Sequence, residues 1–396
     1  MDTNTMALTI GKGGKWYALF LAILPIVMMY RFPGLDMGLT TVLVAIGVIY
    51  AGFVSLRHMK NIDWTPVLLL SMYLIYVAFK SSGVNFLLPI AIIIHVTAIS
   101  TGAANAIQLR KIIESISVFA SFCVIGQQLF HLVAGYHIPM ININWVIASV
   151  IEDYSDAIMT ATDAGNGMYR PCAFFLEPAH FTQVAIYGLG SSLLRELPNF
   201  KRALVITFGI LASTSGMGFI MTFGFWGWWA LFLRNPHKQK KILPNILKLI
   251  FVALLIILIL MQIPFFSQII YRFTSDGSNY DTDYNAIDGR LIFWTTIFGN
   301  MSISDLIWGF GEGALDEDYY YTGFMRVLYA YGIIGCVFFY TFWLYLLLKS
   351  NRYFAPFILI YIALSFLANQ TGFISMIFSI GFIMTISKVI TYNVSK

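Results

Sequence analysis

Eleven residues near the middle of the chain, Arg170-Pro-Cys-Ala-Phe-Phe-Leu-Glu177-Pro-Ala-His180, set a guanidinium, a carboxylate and an imidazole at the mouth of an apolar segment. A carboxylate or an imidazole can take the proton of an attacking hydroxyl. A guanidinium offers a planar fork that matches phosphate and never deprotonates. The surrounding chain is 59% hydrophobic and 11% charged. A charge at the centre of a bilayer costs about 2.5–3.5 kcal/mol on insertion scales, so ionisable groups in or near such segments are functional candidates by default.

The residue before a proline avoids helical backbone, and proline suits the first position of a helix. A helix is therefore expected to begin at Pro178, with Glu177 at its cap beside the positive end of the dipole. His180 then sits one turn inside. Two readings of Glu177 stay open, a general base and a structural N-cap. His180 is likewise either a functional group or a packing residue.

Three arginines, Arg170, Arg290 and Arg326, each stand beside an expected helix start. Converging, they would bind a diphosphate; otherwise they pair with the acids at Asp276–Asp288 and Glu312–Asp318. Arg31 and Lys80 read as snorkelling anchors. Gly309-Phe-Gly311-Glu-Gly313 lacks the lysine of a phosphate-binding loop and reads as a turn, beneath a substrate or not. Thr214-Ser-Gly216 either closes a tight hairpin or lends hydroxyls to the site. The six histidines show no metal-ligand spacing. The three cysteines, Cys123, Cys172 and Cys336, form no disulfide framework. No metal is expected.

These groups need a scaffold, and composition says which kind. A mean hydropathy of +0.77 over 396 residues marks an all-α polytopic membrane protein. It is expected to form a single integral membrane domain over 1–396. Twelve apolar segments, 16–31, 37–56, 64–80, 83–101, 112–134, 173–194, 201–214, 216–233, 244–263, 324–348, 353–371 and 373–391, mostly approach the ~20 residues a helix needs to cross. The first follows Lys12 and Lys15 and reads as a retained signal anchor.

With both termini placed in the cytoplasm, 18 of the 24 Lys and Arg lie inside. The outer face keeps Arg31, Lys80, Arg170, Arg272, Arg290 and Arg326, as the positive-inside rule expects. Two long outer loops result, 135–172 and 264–323. Both carry apolar patches, and Asp288 is expected to cap a short amphipathic helix running on from Arg290.

The motif Arg170-Pro-x-x-Phe-Phe-x-Glu177-Pro-x-His180-Phe resembles that of Wzy-type polymerases, which join O-antigen or capsular polysaccharide repeat units. Ser213-Thr-Ser-Gly216, Gly289-Arg290-x-x-x-Trp294, Trp308-Gly-Phe-Gly311 and Gly323-Phe-x-Arg326 before Tyr331-Gly-Ile-Ile-Gly335 follow in the same order. The resemblance covers about residues 165–340. The Arg-x10-Gly spacing described for some polymerases is absent, since Phe181 and Met301 stand at those places. The large loop also lacks the histidine of the related O-antigen ligases.

What the resemblance implies is a multi-span, GT-C-like glycosyltransferase in a bacterial inner membrane, its site facing the periplasm or exterior. Donor and acceptor would be glycans on undecaprenyl diphosphate, and no soluble cofactor would be needed, because the activated bond is already in the donor. Glu177 and His180 would be catalytic, Arg170, Arg290 and Arg326 would hold the diphosphate, and Asp318 and Tyr321 would bind the acceptor. A chain-length regulator and a flippase are the protein partners it suggests, and no nucleic acid is involved. The alternatives are an O-antigen ligase and, from another class, a lipid-linked oligosaccharide transporter. The latter tends to show internal repeats, and none is visible.

Overall fold

The structure is a computed structural model that describes residues 14–28, 30–31, 38–81, 87–143, 162–163, 168–234, 262, 298–315, 321–368 and 373–394. The expected span 244–263 except residue 262, the helix expected after Asp288, and the sites Arg290 and Asp318 lie outside the described residues. Each of the other expected spans contains a helix. In chain order these are α1 Lys15–Val27, α2 Leu39–Arg57, α3 Trp64–Lys80, α4 Leu87–Ser100, α5 Ala106–Ala134, α6 Pro178–Leu193, α7 Phe200–Ala212 and α8 Gly216–Trp228. A short α9, Ile303–Trp308, precedes α10 Gly323–Lys349, α11 Ala355–Leu367 and α12 Phe373–Val394. The sole described sheet is a two-residue antiparallel pair, β1 Thr162–Asp163 with β2 Met168–Tyr169.

Four described helices are long and apolar enough to cross a membrane: Leu39–Arg57, Ala106–Ala134, Gly216–Leu233, which includes a π turn, and Gly323–Lys349. Five more apolar helices are shorter. This is a mostly helical protein of membrane type. The apolar segments at 173–194 and 201–214 form shorter helices than expected, of 16 and 13 residues. Thirteen residues of α6 are buried, on every side of the helix. A helix enclosed all round packs against protein, not lipid.

The contacts divide the chain into two compact units. The first holds residues 1–112, 144–150 and 292–396, and the second holds 113–143 and 151–291.

In the first unit α3 packs on α4 and α10, and α4 packs on α2 and α12. His95 of α4 is fully buried among them. Its Nε2 lies 3.3 Å from the Val44 carbonyl, which can only accept, so Nε2 carries the proton. Nδ1 then accepts from the Tyr17 hydroxyl at 2.7 Å. This imidazole clasps α1, α2 and α4 together, and both its nitrogens are satisfied.

α10 is not one continuous rod. Gly332 has φ 64° and ψ −168°, which breaks the helix after its second turn. The break leaves carbonyls without their usual helical donors. Phe310 N–H donates to Tyr329 O at 2.9 Å, and Gly311 N–H donates to Ala330 O at 2.8 Å. The segment Gly309-Phe-Gly311 thus completes the broken helix, which explains its two glycines, at φ +72° and +92°.

In the second unit α6 packs on α7 and α8. Small residues let the backbones approach, as in membrane bundles generally. A methyl built on Gly209 of α7 would lie 2.7 Å from the Ser121 Cα of α5. Gly218 of α8 faces Thr182 of α6 in the same manner. Thr214, at φ +56° and buried, turns the chain between α7 and α8, the hairpin expected there.

Candidate functional site

In the second unit α6 begins at Pro178, and Glu177 occupies its N-cap with φ −151° and ψ 163°. Its side chain makes no capping hydrogen bond. The carboxylate is 46% exposed and lies 3.6 Å from His180 Nε2, one turn on. His180 is 19% exposed, and its Nδ1 is buried without a partner among the described residues. The carboxylate is therefore open to solvent on one side and faces a largely enclosed imidazole on the other. It can accept a proton from a hydroxyl that approaches from the open side. Its structural role as a side-chain cap, the alternative the sequence left open, is not used.

The residues between Arg170 and Glu177 are anchored by their aromatics. Phe174 stacks on Phe119 of α5 at 5.8 Å between ring centroids, and Phe175 lies 5.9 Å from Phe181 of α6. Phe175 and Phe181 are fully buried. Two phenylalanines on two helices thus fix the short stretch that leads from arginine to carboxylate.

Between them Cys172 is buried, and burial pushes its thiol up to about 12. The Glu177 carboxylate raises it further and the Arg170 guanidinium opposes the rise. Arg170 and Glu177 thus act in opposite directions on the one sulfur between them in sequence.

Beside Arg170, Tyr169 closes an aromatic stack with two histidines. Its ring is parallel to His137, with an interplanar angle of 3° and centroids 5.2 Å apart, and it lies 4.8 Å from His131. Burial, and then His131, hold the His137 imidazole below its ordinary value, which favours the neutral ring that stacks.

In the first unit Arg326 of α10 pairs with the Glu312 carboxylate, which also accepts from the Tyr331 hydroxyl. Glu312 is 12% exposed and Arg326 27%. Tyr321 is buried, with its ring 5.6 Å from that of Tyr329. Sequence reading treated Glu312 as one of several loop acids. Its distinction is the turn Glu312–Ala314, which follows the Gly309–Gly311 segment and aims it at Arg326. Lys80, at the end of α3, donates from Nζ to Gly309 O at 3.1 Å, next to the Tyr76 hydroxyl bond to Trp308 O at 2.8 Å.

The structure therefore brings Arg170, Glu177 and His180 together in one unit and holds Arg326 and Tyr321 in the other. Among the described residues no cluster of three or more His, Cys, Asp or Glu is arranged to hold a metal ion.

No protein-family model matches this chain, and no curated protein is similar to it.

Proposed function

We propose that this chain is a membrane glycosyltransferase that polymerises lipid-linked repeat units, as its resemblance to Wzy-type polymerases implies. The observation that carries the reading is Glu177. An N-cap carboxylate that does not cap, half exposed, with His180 at 3.6 Å and Arg170 nearby, is a proton acceptor held ready in an apolar protein.

In this reading the acceptor hydroxyl, at the non-reducing end of a repeat unit on undecaprenyl diphosphate, attacks C1 of the donor glycan. The bond from C1 to the diphosphate oxygen breaks, and its electron pair leaves on the diphosphate. Glu177 takes the hydroxyl proton, with His180 orienting the carboxylate. Arg170 and Arg290 stabilise the departing charge, the electrostatic contribution that is usually largest. The resemblance also gives Arg326 a diphosphate contact, for which phosphate would replace the Glu312 carboxylate that now pairs with it. Tyr321 and Asp318 would contact the acceptor. Twelve crossings, cytoplasmic termini and an outward-facing site in a bacterial inner membrane complete the proposal.

Two measurements test parts of this account. Arg290→Lys should lower polymerisation about tenfold or more, on the ~1.5–3 kcal/mol scale of a hydrogen bond to a charged group, because an ammonium cannot reproduce the fork. Near-normal turnover with normal expression would remove Arg290 from the site. Sidedness is read by Ser278→Cys, which should react with an impermeant maleimide from the outer face. Reaction only after the cytoplasm is opened would reverse the topology.

Offered purified substrates, the protein should extend a lipid-linked repeat unit and leave lipid A core unmodified. Transfer to the core instead would make it a ligase.

A further inference from the structure

We infer that Gln127 is a positioning residue, whose side-chain amide fixes the Arg170–Glu177 segment against α5. Its role in transfer rests on the function proposed above, but its structural part does not.

The fork is complete. Gln127 Nε2 donates to Pro139 O at 3.0 Å, and Gln127 Oε1 accepts from Ala173 N–H at 2.9 Å. A carbonyl accepts only and an N–H donates only, so one orientation of the amide serves both partners and the other serves neither. Ala173 needs such support. It is fully buried at φ +55°, left-handed backbone that a residue with a Cβ rarely adopts. Its carbonyl is also engaged, accepting from Ile141 N–H at 2.7 Å.

Tyr169 adds a third tie by donating to Ile138 O. The stretch 138–141 and the stretch 169–173 are thus bound to each other. Gln127 is the member of this set that stands on a long helix, so it sets the depth and rotation of both.

Ala173 lies three residues from Arg170 and four from Glu177. A rotation of its backbone toward unstrained values would swing both. Misplacing a reacting group by about 1 Å can cost about 10²-fold in rate. The sequence carries a faint signal, a Gln127-Gln128 pair within the mostly apolar run 118–130 of α5.

Cys172, 2% exposed, is a built-in reporter. With Cys123 and Cys336 replaced by serine, the labelling of Cys172 by N-ethylmaleimide is measured in native membranes, alongside kcat and KM for polymerisation. Gln127→Met keeps the length and loses both hydrogen bonds. It should label about tenfold faster or more, as local opening grows, and kcat should fall more than KM rises.

Gln127→Glu supplies the decisive contrast. As a neutral acid it has one donor and one acceptor and can mimic the amide; as a carboxylate it cannot donate to Pro139 O. Its labelling and turnover, each relative to wild type at the same pH, should approach one at low pH and depart from it as pH rises.

Unchanged labelling in Gln127→Met would overturn the inference whatever the activity. Faster labelling with unaltered kcat would overturn the positioning role. A wild-type protein that makes no polymer would remove the glycosyltransferase reading and leave the labelling to decide the clasp.

Discussion

Glu177→Gln should lower polymer formation by roughly 10²–10⁴, the range for lost acid–base catalysis, in a protein that still folds and still binds its lipid-linked substrates. Glutamine keeps the shape and the acceptor oxygen but cannot take a proton at neutral pH. The stability side of the prediction follows from the cap. Because the Glu177 side chain makes no hydrogen bond to the first turn of α6, Glu177→Ala should shift stability by no more than about 0.5 kcal/mol. A working N-cap would cost about 0.5–2 kcal/mol on the same change. Loss of turnover without loss of stability marks a chemical role. An active Glu177→Gln enzyme would transfer the role of base to another residue.

The largest expected effect on folding belongs to Gly332→Ala. At φ 64° and ψ −168° Gly332 sits in a region essentially restricted to glycine, where a side chain costs about 1–3 kcal/mol. The new methyl would also press on the Ile307 carbonyl and lie 2.7 Å from Gly309 N. These are backbone atoms, which cannot swing aside, and overpacking of this kind adds about 1–3 kcal/mol. The segment that completes α10 would be expelled, and with it the bonds from Phe310 and Gly311. A thermal melt in detergent should show Gly332→Ala strongly destabilised or absent from the membrane. Gly224→Ala is the control. Nothing lies within 4 Å of a methyl there, and alanine in a helix interior should stabilise by about 0.5–1 kcal/mol. Equal stability of the two variants would show that the break in α10 does not depend on glycine.

These two positions also show what a sequence reveals. The start of α6 was legible because proline and its predecessor restrict the backbone locally, and so were both ends of α3 at Trp64 and Lys80. The break in α10 was not. Tyr331-Gly-Ile-Ile-Gly335 is apolar throughout, and a glycine inside an apolar run does not declare whether it is helical. That depends on how α9 and the Gly309–Gly311 segment, which precede α10, fold back onto it.

The same limit hid the partners of charged groups. By sequence Arg326 has either a diphosphate or any of several nearby acids as its partner, and only the turn at Glu312–Ala314 selects Glu312. Gln127 meets Pro139 and Ala173 from two separate loops, and no spacing records that meeting. The chemistry-bearing types in the Arg170–His180 stretch were legible as a group, because they lie on one short segment beside one helix start.

The most direct test of the central claim is polymerisation by the purified protein alone. Reconstituted in lipid and given synthetic undecaprenyl-diphosphate repeat units, the wild-type chain should build a ladder of products spaced by one repeat on a gel. Glu177→Gln, at equal folded protein, should leave the repeat units unextended. A wild-type protein that binds these units and builds no ladder would contradict the account.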